Sequence, residues 1–126
     1  MTDQRRRSGG LETLALIAAG GFLGSLARYG VATLVSGPAG TFLVNVTGSA
    51  ALGFVFYAAA TTDRIPERVR LLVTVGFLSS YTTYSTFALE TMDVDPAVGV
   101  VNVLGSYAGG FSAVLVGRRI ALGGGR

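Results

Sequence analysis

Cysteine and histidine are both absent from the 126 residues. Without cysteine there is no disulfide and no thiolate metal site. Without histidine the commonest general base and the commonest metal ligand are missing as well. Charge is scarce too, at 13% of the chain, against roughly 25% in a typical soluble domain. All ten basic residues are arginines. No credible catalytic constellation remains, so the chain does not read as an enzyme.

What is present is apolar. Half of the residues are hydrophobic and the mean hydropathy is +0.57, the composition of an integral membrane protein. A span takes about 20 apolar residues, which leaves room for four helices, short loops and no extramembrane domain. The sequence therefore predicts one all-α membrane domain over residues 1–126, with four transmembrane helices near 12–35, 39–61, 67–89 and 96–118. Ser36-Gly37-Pro38, Asp63 to Arg70 and Met92 to Pro96 mark the connections. The start MTDQRRRSGG before an apolar run could mimic a signal peptide. That run is too long and no A-x-A cleavage site closes it, so it is expected to stay as a membrane helix.

Nine arginines (Arg5, Arg6, Arg7, Arg64, Arg68, Arg70, Arg118, Arg119 and Arg126) fall at the N-terminus, between spans two and three, or at the C-terminus. With four spans these regions share one side of the membrane. The opposite connections carry no arginine, and the later one holds Glu90, Asp93 and Asp95. The positive-inside rule then puts both termini in the cytoplasm of a multi-pass protein of the cell inner (plasma) membrane. The pI of about 9.8 is a topology signal, and nucleic acid is not an expected partner.

Small residues recur at helical spacing: Gly105, Gly109, Ala113 and Gly117 in span four, and Gly20 with Gly24, beside Gly21 with Ser25, in span one. Such stripes let helix backbones approach closely in lipid. In span two, Thr41, Asn45, Ser49 and Gly53 form a polar-to-small stripe on one face, and Asn102 and Ser106 share a face in span four. A buried Asn or Ser serves as interhelical glue as readily as it lines a path.

The third span is unlike a lipid-facing helix. GFLSSYTTYSTF, Gly76 to Phe87, packs Ser79, Ser80, Thr82, Thr83, Ser85 and Thr86 among Tyr81, Tyr84 and Phe87, with no charge between Arg70 and Glu90. An uncharged polar cluster inside a span suggests that something small binds or passes there. The residues leave open which ion or solute that is; if it is a strongly hydrated anion, donors must replace its lost water. Asn45 offers two N–H groups, and Ser and Thr hydroxyls can rotate to donate. Aromatic rings have a positive edge, so Tyr84 and Phe87 on one helical face could meet an anion edge-on, although such pairs also serve simply as packing.

Three segments, GGFLGSLARY (Gly20 to Tyr29), GTFLVNVTGS (Gly40 to Ser49) and GFLSSYTTYSTF, resemble in order and spacing the motifs of the Fluc fluoride channels, also called the CrcB family. The resemblance covers nearly the whole chain apart from its termini. It implies a four-helix subunit with a broken third helix, assembling as an antiparallel dimer with two fluoride pores and a central structural sodium ion that is not transported. It implies further that Asn45, Thr82, Thr83, Tyr84, Ser85, Thr86, Phe87 and Ser106 line the fluoride path and that Arg28 sits near a pore mouth. The carbonyls of Ser79 and Thr82 would hold the Na+.

The chain departs from the family pattern at Tyr84, where phenylalanine is usual, at Ser79 and Ser80, where glycines are common, and at Asn102, where a tyrosine is common. Two other functions are compatible with a small helical membrane chain. A small multidrug-resistance-type proton-coupled exporter needs a carboxylate deep in a span, and Glu12 lies only at the entrance of the first. A purely structural membrane subunit would explain the small residues but not the hydroxyl cluster with Asn45.

An antiparallel homodimer requires one chain to insert both ways, and so a weak basic bias. Nine arginines against at most Arg28 predict a single orientation and a heterodimer with a homologous subunit of opposite bias, with the homodimer as the alternative. Reporter fusions at the C-terminus are expected to report a cytoplasmic end throughout. An even split between cytoplasmic and external reporters would overturn the charge argument.

Overall fold

The computed structural model describes residues 2–124, with side chains from Gly9 onward. Arg126 and the side chains of Arg5, Arg6 and Arg7 lie outside the described residues. The described chain is helical with no strand: α1 (Thr2–Leu34), α2 (Pro38–Thr61), α3 (Glu67–Arg70), a π-helical segment (Leu71–Leu78), α4 (Ser79–Tyr81), α5 (Tyr84–Met92) and α6 (Pro96–Gly123). Three helices are long and apolar enough to cross a membrane, at Gly9–Leu34, Pro38–Thr61 and Pro96–Gly123.

Local chemistry sets the connections. Gly37 takes φ 72°, a left-handed conformation that glycine adopts without a Cβ penalty, and Pro38 then starts α2 where its missing N–H costs nothing. Asp95 caps α6 by accepting from the Ala97 N–H at 2.9 Å, again with proline at the first turn. Two helices run longer than the hydropathy suggested. α1 begins ten residues ahead of the apolar run, through the arginine-rich start, and α6 continues past Arg118 and Arg119.

The third apolar segment is interrupted. Thr82 (φ −79°, ψ 158°) and Thr83 (φ −146°, ψ 124°) are both extended, and they divide the segment into α3 to α4 on one side and α5 on the other. Ahead of the break the coil widens into the π-helix. There Thr74 Oγ1 donates to the Arg70 carbonyl at 2.7 Å and Ser79 Oγ to the Val75 carbonyl. Hydroxyls that bond one turn back bend a helix and loosen its ladder. Ser79 and Ser80, which stand where glycine is common in the family, belong to the regular turn before the break. The break itself uses only negative φ, so it has no need of glycine.

Packing is inside-out relative to a soluble domain. Phe22, Leu26, Phe56, Leu104, Phe111 and Leu115 are among the many large apolar side chains that face outward. Among the described residues the buried hydrophobic ones are few: Val44, Leu78, Phe87 and Ala113. Glycines do much of the rest. α1 lies along the π-helical segment, where a Cβ on Gly20 would strike the Leu72 carbonyl and one on Gly24 the Phe77 carbonyl. α2 lies along α6, with Gly53 against Val114 and Gly117 against Ala50 and Phe54. Backbone-to-backbone approach of this kind drives helix association in lipid, where apolar burial contributes little.

At Gly117 a Cβ would meet the Ala50 carbonyl and lie 2.7 Å from the Phe54 backbone nitrogen, whereas nothing stands within 4 Å of one at Gly30. Gly117→Leu is therefore expected to cost about 3 kcal/mol or more, since backbone cannot yield as a flexible side chain can. Gly30→Ala is expected to leave folding intact. Size-exclusion profiles and melting in detergent check both.

Candidate functional site: an amide clip at a broken helix

Asn45 on α2 faces the extended residue Thr83. Its Nδ2 donates to the Thr83 carbonyl at 3.0 Å, and the Thr83 N–H donates to Asn45 Oδ1 at 2.8 Å. One side-chain amide thus pairs both backbone groups of the residue at the break. In a continuous helix the Thr83 N–H would return to the Ser79 carbonyl. The Thr86 N–H would return to Thr82, but it is taken by Thr83 Oγ1 at 3.3 Å, which caps α5. Both ladder donors are diverted, so the Ser79 and Thr82 carbonyls are released from the helix.

The clip also changes which donors remain. Asn45 was expected to offer two N–H groups to an ion, but one is committed to Thr83, which leaves one. The Thr82 hydroxyl donates to the Leu78 carbonyl at 2.9 Å, and the Thr83 hydroxyl to Thr86 Oγ1 at 3.1 Å. Ser85 Oγ lies 3.5 Å from Thr83 Oγ1. The hydroxyl protons of Thr86 and Ser106 are not drawn into these bonds.

Three hollows meet around the clip. The first, about 340 Å³, is lined by Asn45, Ser49, Thr74, Ser79, Thr82, Thr83 and Tyr84. A second, about 430 Å³, brings Arg28 of α1 to Thr41, Thr83 and Thr86. The third, about 150 Å³, gathers Asn45, Ser49, Tyr84, Phe87, Ser106 and Tyr107. Every site residue expected from the sequence except Ser85 lines at least one of them. Asn45, Thr83 and Tyr84 each line two.

The sequence reading missed part of the aromatic wall. Tyr84 and Phe87 have ring centroids 5.8 Å apart, Phe87 meets Tyr107 edge-on at 6.4 Å and 82°, and Tyr107 lies 6.3 Å from Phe111. Tyr107 and Phe111 are four residues apart in α6, a spacing visible in the sequence beside Ser106 but overshadowed by the glycine stripe. Glu90 needs a correction. The sequence reading placed it in the connection after the third span, whereas α5 continues to Met92 and Glu90 lies inside it, its Oε2 buried with no hydrogen-bond partner. Glu12, by contrast, is an exposed group paired with Arg68 at 2.6 Å, next to the arginine-rich connection.

Fold and site together define a polytopic helical membrane protein whose interrupted segment carries an uncharged polar and aromatic lining. The chain belongs to the CrcB family: residues 15–118 match the family described as CrcB-like protein, Camphor Resistance (CrcB). It is 50% identical over 111 residues to "Fluoride-specific ion channel FluC 1" of Natronomonas pharaonis, a match that covers 86% of this chain and 93% of that one. Identity is 48% over 119 residues with "Fluoride-specific ion channel FluC 1" of Haloarcula marismortui, covering 92% and 93%. It is 47% over 111 residues with "Fluoride-specific ion channel FluC 2" of Halobacterium salinarum, covering 87% of each. These relatives are named as channels, and the family is not one of enzymes.

Proposed function

We infer that the chain is a subunit of a fluoride-selective channel that lets fluoride leave the cell passively and so confers resistance to it. One observation carries the reading: Asn45, Phe87 and Ser106, with Tyr84 and Tyr107, converge on one hollow from α2, α5 and α6. Its lining is neutral. Fluoride gives up strongly held water only where donors replace it. The remaining Asn45 N–H, the Ser106 hydroxyl and the ring edges of Phe87 and Tyr84 can do so without a fixed positive charge that would trap the ion. The family match and the names of the relatives support the same assignment. Arg28, beside Thr83 and Thr86, would draw anions toward the lining from one mouth.

The segment 67–92 is read as a further membrane crossing, third in chain order and broken near its middle, which makes four in all. Its released Ser79 and Thr82 carbonyls are hard oxygen ligands, suited to sodium rather than to a transition metal. Both residues line the hollow of about 340 Å³ beside the clip, which fits a bound monovalent ion. The ion would hold the break open and is not itself carried. The functional unit is read as an antiparallel dimer in the plasma membrane, both termini of this chain cytoplasmic, paired with a homologous subunit of opposite orientation. Relatives named FluC 1 and FluC 2 are in keeping with paired subunits.

The assembled channel in fluoride-loaded liposomes, followed with an external fluoride electrode, tests the pore. Asn45→Leu and Phe87→Ile are each expected to cut fluoride efflux at least about 100-fold, roughly 2.7 kcal/mol on the barrier; assembly persists in Phe87→Ile, whereas Asn45→Leu also loses the Thr83 clip and is expected to melt lower in detergent. Tyr84→Phe, which restores the family pattern, is expected to conduct. Wild-type efflux in both of the first two variants would sink the assignment. Dialysis of sodium against N-methylglucamine is expected to reduce efflux, and chelation of transition metals to leave it unchanged.

A further inference from the structure

α5 has only nine residues, a length that does not sustain a helix in isolation. It nevertheless carries Phe87, the most buried ring of the proposed path at 8% exposure. Its start is fixed by the Thr83 cap and the Asn45 clip. Its other end is tied by a second amide, on α6. Asn102 Nδ2 donates to Thr91 Oγ1 at 2.8 Å, and Thr91 Oγ1 donates its own proton to the Phe87 carbonyl at 2.7 Å. The two helices touch where this relay forms: Gly99 is buried, and a Cβ there would lie 2.9 Å from the Thr91 carbonyl oxygen. The relay ends on the residue whose ring meets Tyr107 of α6 edge-on.

We propose that Asn102 and Thr91 are positioning residues for the anion path, setting the register and rotation of α5 against α6 so that the Phe87 ring edge stays aligned with Asn45 and Ser106. The inference deepens the fluoride-channel reading and rests on it. The hydroxyl of Thr91 both accepts and donates, so it ties α6 to the Phe87 carbonyl without leaving either group unpaired in a low-dielectric site. Removal of either partner frees the last turn of a short helix that is preceded by extended chain. A small dehydrated ion has little tolerance for a ring displaced by about 1 Å, as for any precisely aligned group. Asn102 stands where the family commonly has a tyrosine, so in this chain an amide at that place supplies the tie.

The test uses the assembled channel in liposomes and reads fluoride efflux, fluoride-over-chloride discrimination and melting in detergent. Asn102→Leu and Thr91→Val are each expected to lower efflux about 10-fold or to reduce discrimination by a similar factor, with assembly and melting close to wild type. Thr91→Ser keeps the hydroxyl and is expected to restore wild-type behaviour. The double variant should be no worse than either single one, because both remove the same relay. Multiplied losses in the double variant, Thr91→Ser as impaired as Thr91→Val, or a fall in melting with unchanged flux and discrimination would each overturn the positioning role. Wild-type flux in both single variants while Phe87→Ile is silent would overturn this inference alone. Wild-type flux in Phe87→Ile would overturn this inference, and wild-type flux in Asn45→Leu as well would remove the pore reading with it.

Discussion

The reciprocal pair of hydrogen bonds between the Asn45 carboxamide and the Thr83 peptide is the constraint on which the rest of the site depends. Backbone N–H and C=O groups left unpaired in a bilayer cost several kcal/mol each, which is why spans are continuous helices unless something else satisfies them. Asn45 satisfies both groups of one residue. With the Thr83 peptide so paired, the chain can stay extended for two residues, release the Ser79 and Thr82 carbonyls and start a new helix capped by the Thr83 hydroxyl. A leucine at position 45 could do none of this.

That side chain is useful only if α2 is held firmly against the broken segment. Thr82 packs its methyl on Gly48, and α2 is itself pressed onto α6 through Gly53 and Gly117. The glycines and the amide therefore act together: removal of Cβ atoms brings the backbones close enough for a short side chain to reach a neighbouring peptide. The same closeness lets Gly99 bring Asn102 to Thr91. In lipid, where apolar surface is already well solvated, such fits replace a hydrophobic core as the source of specific association.

The helical class, the approximate limits of α2 and the positions of most lining residues were legible in the sequence, because hydropathy and the hydroxyl cluster are local signals. The partner of Asn45 was not. The sequence shows an amide and a peptide 38 residues apart, and nothing in composition says that one will pair with the other rather than with an ion. The donor inventory was overcounted for the same reason: Thr82 and Thr83 look free in a linear reading and are committed in three dimensions. The π-helical stretch left no recognisable trace, since Leu71–Leu78 reads as an ordinary apolar helix. Glu90 was misplaced because hydropathy ends a helix at the first charge, whereas the hydrogen-bond ladder of α5 runs on to Met92.

A single chain leaves the proposed path half built. Phe87 is buried, yet Tyr84 is 72% exposed, Tyr107 50% and Phe111 70%, so the aromatic wall that begins inside the subunit continues along an outer face. An anion cannot follow such a face in contact with hydrocarbon, because each step would strip its water without replacing it. In the proposed dimer a chain of the same fold, inverted in the membrane, would cover that face with a wall of the same kind. Antiparallel pairing, as proposed, would close the path along this aromatic face. The concentration of arginine on one side of this chain argues against the inverted copy being the same polypeptide, since identical chains would have to ignore the positive-inside rule half of the time. A homologue with the opposite bias meets both conditions at once. In such a pair the departures at Tyr84 and Asn102 need suit only the pore walls that this subunit supplies.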